Sequence, residues 1–297
     1  MKNQPLVSVL MPSYNSEKFI GFAIQSVLDS TYTNFELIIT DDNSTDNTYK
    51  IAKSFEEKDS RVIVYLNDKN YGDYPNRNKA ASYARGKYLK YVDHDDFIYP
   101  YGLEQLVYYM EQFPEAGYGL CSLNQDDKLI YPYQLSPKET YERHYFHSSL
   151  FHKAPLSSII KKEVFDALNG FTGKPLLGDF EFWHLISQQH PLVLMPHGIV
   201  WYRKHENQES RKLINNPLQS FNYLIIGQEL IESKNCPFDI EEKKKVVQKY
   251  KINQAKAIVS AFKNGFRKEG IMMKRRSQMT YLNIMIKFLK LKYYGDI

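Results

Sequence analysis

The chain has 297 residues, of which 43% are hydrophobic and 25% charged, with a formal net charge of +5. That balance supports a folded core and excludes wholesale disorder, and the length fits one large α/β domain or two smaller ones. The mild positive charge suits anionic ligands or an anionic membrane surface, and no nucleic-acid-binding motif accompanies it. Cys121 and Cys236 are far apart and in no metal-like spacing, so they read as reduced thiols of a cytosolic protein. The N-terminus lacks the basic and apolar regions of a signal peptide. No apolar run approaches the roughly 18 to 20 residues of a membrane span.

The first hundred residues alternate strand and helix signals. "LVSVLMP" is an apolar run ending at Pro12 and reads as a strand. Asn15 or Ser16 is placed to cap a helix whose Phe19, Ile20, Ala23, Ile24, Val27 and Leu28 share one face. "FELIIT" is a second strand, closed by "DDNSTDNT", where Thr45 is placed to cap the next helix, with Ile51 and Phe55 facing inward. "RVIVYL" reads as a third strand, "NRNKAASYARG" as a helix ended by Gly86, "KYLKYV" as a fourth strand, and "YGLEQLVYYMEQF" as a helix. Such alternation implies crossover units and a mainly parallel sheet flanked by helices. Ligands of these sheets sit at the carboxyl ends of the strands. Ser13 to Asn15, Asp41 to Asn43 and Asp93 to Asp96 all fall there. Residues 115 to 205 are less regular and read as the second half of the same domain. From about 212 the chain reads as helical and basic.

The segment "KYVDHDD" poses a charge problem, since Asp93, Asp95 and Asp96 crowd the end of a buried strand. Two carboxylates about 5 Å apart repel by roughly 3 kcal/mol at an effective dielectric near 20. A cation, a hydrogen-bonded turn or a raised pKa would compensate. The turn reading makes Asp96 or its neighbour a helix cap. The cation reading gives Mg²⁺ or Mn²⁺ one or two carboxylates, with substrate phosphates completing the shell. His94 points away from its neighbours on an extended backbone and reads as a packing or exposed residue. In "DDNSTDNT", turns and caps explain Asn43, Ser44 and Thr45. The extra carboxylates can instead accept from a ribose hydroxyl or a base N–H.

"LVSVLMPSYN", "FELIITDDNSTDNT", "NYGDYPNRNKAASYARGKYLKYVDHDD" and "LLGDFEFWHLI" resemble, in order and spacing, the signatures of family 2 glycosyltransferases with the GT-A fold, over about residues 5 to 210. The resemblance implies an inverting transfer of sugar from a nucleoside diphosphate donor, most simply a UDP-sugar, to a hydroxyl of a glycan or lipid-linked glycan. It implies a divalent metal, Mn or Mg. Pro12, Ser13 and Tyr14 would line the nucleotide pocket, Asp42 would bind the base, and Arg77 and Asn78 would lie near base and diphosphate. Asp93 would contact ribose or sugar, with the metal on Asp95 or Asp96. Asp179 would be the general base, with Glu181 in reserve; the alternative for Asp179 is a helix cap. The pair here is Gly178-Asp179, so the family's familiar Glu before the Asp is missing. "WYRKHENQES" resembles a late segment in which Arg203 would meet phosphate and His205 the metal, with Gln208 and Ser210 following.

The catalytic domain is thus expected over residues 1–211, with a nucleotide half to about 100 and an acceptor half from 101. A helical, basic extension follows over 212–297. Between Lys263 and Lys292 nine Lys or Arg accompany one acid, Glu269. "YLNIMIKFLKLK" is too short to span a bilayer. Either it lies in an anionic membrane interface, or it packs on the catalytic domain with a basic outer face. The resemblance and the tail together imply a cytoplasmic setting at the inner membrane face, in surface polysaccharide assembly. Two alternatives remain: a non-catalytic scaffold that binds nucleotide sugar or glycan, and a sugar nucleotidyltransferase. The second would carry a Gly-rich, Arg-containing loop after the first strand, where this chain has "MPSYNSEKF".

Overall fold

The computed structural model describes residues 4–174, 177–205 and 217–293, with side chains described as far as 289. It divides into two compact units, 1–204 and 205–297. The division falls slightly before the boundary expected at 211.

Among the described residues, ten strands and seven α-helices build the first unit. The strands are β1 (Val7–Ser13), β2 (Phe35–Asp41), β3 (Val62–Leu66), β4 (Tyr88–Tyr91), β5 (Phe97–Ile98), β6 (Tyr118–Leu120), β7 (Tyr133–Leu135), β8 (Ser158–Lys161), β9 (Leu192–Leu194) and β10 (Val200–Trp201). The helices are α1 (Ile20–Leu28), α2 (Thr48–Glu56), α3 (Asp73–Ser82), α4 (Gly102–Gln112), α5 (Pro137–Glu142), α6 (Lys162–Ala167) and α7 (Gly178–Ser187). Eight strands form one sheet in the order β3-β2-β1-β4-β8-β6-β9-β7. The first four are parallel, as the alternating pattern requires, while β8 runs antiparallel to both β4 and β6. β1 and β2 are buried along their whole length, which is why they read as continuous apolar runs rather than as alternation. Val7, Val9, Met11, Leu37 and Ile39 pack with Ile20, Ile24 and Val27 of α1 in the main core.

Register aligns the functional edge. Ser13 pairs with Asp41, Asp41 pairs with Leu66, and Leu10 pairs with Tyr91. The polar clusters after β1, β2 and β4 therefore emerge side by side. A separate antiparallel ribbon pairs β5 with β10, Val200 against Ile98 and Trp201 against Phe97. It returns the chain from residue 200 to the acidic turn after β4.

The expected caps do not form. α1 starts at Ile20 with no side-chain cap, because Asn15 turns into the left-handed region and its Oδ1 accepts from Thr45 N across the gap at 2.8 Å. Ser16 N instead donates to Thr48 Oγ1. At α2 the Thr48 N–H is satisfied by Asp46, not by Thr45. α3 begins at Asp73 and stops at Ser82, earlier at both ends than the expected helix.

The second unit is helical: α8 (Pro217–Glu232), α9 (Ile240–Lys263), α10 (Arg267–Ser277) and α11 (Tyr281–Tyr293). A capping box of Asp239 and Glu242 starts α9. Phe221, Ala255, Ile258, Ala261, Met273, Met279 and Ile284 form its own core. No helix among the described residues is long and apolar enough to cross a membrane. Both cysteines are free and buried.

Candidate active site

The acidic turn after β4 is held from three sides. Arg77 of α3 grips Asp93 with two bonds of 2.6 and 2.9 Å, and its Nε donates to Asp73 at 2.7 Å. This two-pronged geometry fixes both carboxylate oxygens of Asp93. From the ribbon, Arg203 N donates to Asp96 Oδ1 at 2.9 Å and Arg203 Nε to the Asp95 carbonyl at 2.8 Å. The Arg203 guanidinium lies over Phe19 and Trp201, 5.1 and 4.9 Å from the ring centres. His94 pairs through Nδ1 with the Pro12 carbonyl at 2.9 Å, linking the turn to the end of β1. The helix-cap reading of the turn fails, because the next helix begins only at Gly102, with Tyr101 before it.

The three carboxyls do not share one environment. Burial works to raise the Asp93 pKa, but the charge and hydrogen bonds of Arg77 outweigh it and hold the group below its usual value. Asp96 has no such partner. Burial, with Asp93 and Asp95 adding repulsion, pushes it up to about 8. Its Oδ2 is buried with no hydrogen-bond partner among the described residues. Beneath the turn lies Lys90, fully buried in β4, its Nζ donating to the carbonyls of Leu156 and Ser158. Burial lowers its pKa to about 8, against the pull of Cys121, Asp93 and Asp96. The strand pattern alone leaves Lys90 an ordinary strand residue. Its signal was a lone cation inside an apolar strand that runs straight into three acids.

At the neighbouring strand ends, Ser13 Oγ approaches Asp41 Oδ2 at 3.4 Å, and Asp41 accepts from Ser44 N and Oγ. Asp42, expected to meet the base, is buried. Its carboxylate accepts from Asn67 Nδ2 at 2.7 Å, Tyr71 N at 3.0 Å and Gly72 N at 2.8 Å. It therefore pins the loop that opens α3. Gly72 has φ of 89°, a backbone state that other residues adopt only with strain. Pro12 is buried beside the turn, and Tyr14 is exposed at the same edge. Asn78 does not face this edge with a spare group. Its amide exchanges two bonds with the Phe171 backbone, 2.7 and 2.9 Å, and so clasps α3 to the chain leading to α7.

α7 carries the other candidate. Asp179 sits in its first turn and accepts from Phe180 N at 2.7 Å. The residue preceding the helix is Leu177, so Asp179 lies inside the helix rather than capping it. Burial pushes its pKa up to about 6, opposed by the Phe180 N–H, by the Tyr74 hydroxyl and by the charge of Arg77. Tyr74 explains the missing Glu. A Cβ at Gly178 would lie 2.8 Å from the Tyr74 ring, so a side chain there would collide with a buried aromatic. Tyr74 and Arg77 are both on α3, which thereby touches the acidic turn and Asp179 alike. Glu181, the reserve base, is buried and spent: Lys174 pairs with one oxygen at 2.5 Å and Thr172 donates to the other.

A divalent cation fits the turn. The unpartnered, buried Asp96 Oδ2 and the half-buried Asp95 are oxygen donors of the type that Mg²⁺ and Mn²⁺ prefer. Among the described residues no three His, Cys, Asp or Glu converge as a ready-made metal cage. That pattern suits a cation held by one or two carboxylates with the remaining ligands from elsewhere. His205 opens the second unit, and Gln208 and Ser210 lie outside the described residues.

The family model for glycosyl transferase family 2 matches residues 8–168. The chain belongs to that family. Asp179, Arg203 and His205 lie beyond the matched span. A putative teichuronic acid biosynthesis glycosyltransferase, TuaG of Bacillus subtilis, is 30% identical over 225 residues, 73% of this chain and 82% of that one. WfgD of Escherichia coli, a UDP-Glc:alpha-D-GlcNAc-diphosphoundecaprenol beta-1,3-glucosyltransferase, is 35% identical over 139 residues, 46% of this chain and 54% of that one. Two solved structures share the fold at low identity. S. aureus TarS residues 1–349 with UDP-GlcNAc superposes with a TM-score of 0.65 at 18% identity, covering 82% of this chain and 71% of that one. Mannosyltransferase PcManGT from Pyrobaculum calidifontis, in complex with GDP-Man and Mn²⁺, gives 0.66 at 15% identity, covering 100% and 89%. The fold is thus that of these glycosyltransferases, as expected.

Proposed function

We propose that this family 2 glycosyltransferase moves a sugar, with inversion, from a UDP-sugar to a hydroxyl of a glycan or lipid-linked glycan during surface polysaccharide assembly. The observation that carries the reading is the acidic turn. It ends in a buried carboxyl oxygen without a partner, on an Asp whose pKa is pushed up to about 8, a charge deficit that a cation bound with a diphosphate would relieve. Asp95 and Asp96 would hold Mn²⁺ or Mg²⁺. The metal would supply positive charge against the departing diphosphate. Pro12, Ser13, Tyr14 and Asp42 line the nucleotide side, and Asp93 takes a ribose or sugar hydroxyl. Arg77 and Asn78 serve that side by fixing Asp93 and the α3–Phe171 clasp, and Arg203 fixes Asp95 and Asp96. Asp179 takes the proton of the acceptor hydroxyl as that oxygen attacks the anomeric carbon. A base with pKa about 6 is ionised at neutral pH and still basic enough to help. A single displacement of this kind inverts the anomeric centre and needs no covalent nucleophile.

The match to WfgD supports a UDP donor and an acceptor carried on a lipid diphosphate, and with it a setting at the inner face of a membrane. The test is release of nucleoside diphosphate from UDP-, GDP- and dTDP-sugars with Mn²⁺, with EDTA, and with Asp95→Ala or Asp96→Ala. Metal-dependent release from one donor, lost in a variant, is expected. No release from any donor together with no metal-dependent nucleotide binding would transfer the chain to the scaffold reading.

A further inference from the structure

The last helix carries an apolar face that its own unit does not use. α11 sends Ile284 into the core beside Met273 and Met279. At about 100° per residue, Tyr281, Leu282, Met285, Ile286 and Leu289 fall together on one arc turned away from Ile284. These five are between 44% and 67% exposed. Single exposed apolar residues are ordinary, but five on one face of one helix form a contiguous patch, and such patches mark contact surfaces.

The border of the patch is cationic. Lys274, in the last turn of α10, stands over the Tyr281 ring at 4.9 Å. Lys263, ending α9, stands over the Phe288 ring at 5.2 Å. Arg267, Lys268, Arg275 and Arg276 are exposed nearby in sequence on α10. From Lys263 to Leu289 the only acid is Glu269.

We propose that this face docks on an anionic lipid bilayer. α11 lies in the plane of the interface, with Leu282, Met285, Ile286 and Leu289 at the headgroup–acyl boundary and Lys263, Lys274, Arg275 and Arg276 at lipid phosphates. An apolar face bordered by cations is the pattern of interfacial helices. The helix lies on the membrane rather than across it, since its 13 residues reach only about 20 Å, short of the roughly 30 Å hydrocarbon core. A second copy is a poorer occupant. A two-fold contact through this face would set the same cations against each other. The inference deepens the membrane-side setting proposed above, but no residue of the transfer site enters it.

The experiment is flotation of the full chain with vesicles of phosphatidylcholine alone or mixed with phosphatidylglycerol. Co-flotation only with the anionic vesicles is expected. Leu282→Ser with Met285→Ser and Leu289→Ser should abolish it. Lys274→Gln with Arg275→Gln and Arg276→Gln should weaken it by roughly five-fold per cation removed, and 1 M salt should weaken the wild type likewise. Helicity and donor hydrolysis should stay unchanged in both variants, so a folding failure would be visible. No flotation, flotation indifferent to anionic lipid, or flotation that survives the serine variant would overturn the proposal. So would a concentration-dependent dimer that the serine variant dissolves while vesicle binding is absent, which would give the face to a second copy. Loss of donor release with intact flotation would count against the transfer reading alone.

Discussion

Replacing Asp179 by Asn should stop transfer and stabilise the protein at once. The carboxyl is raised to about 6 in the folded state, chiefly by burial, from a reference near 3.8. Folding therefore favours its protonated form. The ionised form costs stability above the folded pKa, and that cost fades as pH falls toward the unfolded value. A shift of about two pKa units corresponds to about 3 kcal/mol. Asn carries no charge and keeps an amide oxygen for the Phe180 N–H, so Asp179→Asn should gain up to about 3 kcal/mol above pH 7. The gain should shrink steadily between pH 6 and 4. Trp183 and Trp201 both lie in the first unit, so tryptophan fluorescence in urea reads that unit's unfolding. Transfer or donor hydrolysis assayed on the same samples should fall by roughly 10²- to 10⁴-fold, the usual contribution of a positioned base. A variant that is destabilised at pH 7.5 would show that the carboxylate is structural, and the base assignment would fall with it.

Four further outcomes follow from the same geometry. Tyr74→Phe removes a hydroxyl that lowers the Asp179 pKa, so the acidic limb of the kcat/KM profile should move to higher pH; an unmoved limb would detach Tyr74 from the base. Gly178→Ala places a methyl 2.8 Å from the Tyr74 ring; overpacking of this kind costs about 1–3 kcal/mol in urea unfolding, and activity should drop with it. Because Asp96 is largely protonated below pH 8, loading of metal with nucleotide should expel a proton. Calorimetry in buffers of different ionisation enthalpy should show that release, with affinity rising as pH approaches 8. Lys90→Met leaves the Leu156 and Ser158 carbonyls without their donor and should cost about 2–3 kcal/mol; a neutral result would mean that water replaces the ammonium.

Much of the parallel half of the sheet was legible because β1 to β4 are apolar runs punctuated by polar clusters. Those clusters lie at the strand ends that the register brings side by side. What escaped was chemistry made across long sequence distances. The expected cap at Asn15 is a local rule, and it loses to a bond with Thr45 that ties β1 to the loop after β2. β5 and β10 have two residues each, too few to show alternation, so the ribbon that brings Arg203 N to Asp96 was invisible. Asp42 follows β2 and Asn78 lies on α3. Yet their donors and acceptors turned out to be engaged by Tyr71, Gly72 and Phe171, mostly through backbone groups that no side-chain pattern reveals. The helix signal begins at Asn76, which places Tyr74 in a loop, whereas α3 starts at Asp73.

The crowded aspartates are answered unequally, and the inequality is informative. Arg77 offsets Asp93 so completely that the group stays ionised despite its burial. The same Arg reaches Asp96 only through its charge and leaves it raised, because its bonds go to Asp73 and Asp93. Arg203 gives Asp96 only one backbone N–H, and spends its Nε on the Asp95 carbonyl. A stability-optimised turn would carry Asn or Ser at position 96, since a buried carboxyl with an orphan oxygen is costly. Strained charge of this sort tends to persist where function needs it. On the proposed reading the two halves of the turn divide the work: Asp93 is fixed and charged in advance, and Asp96 would give up its proton to a bound cation.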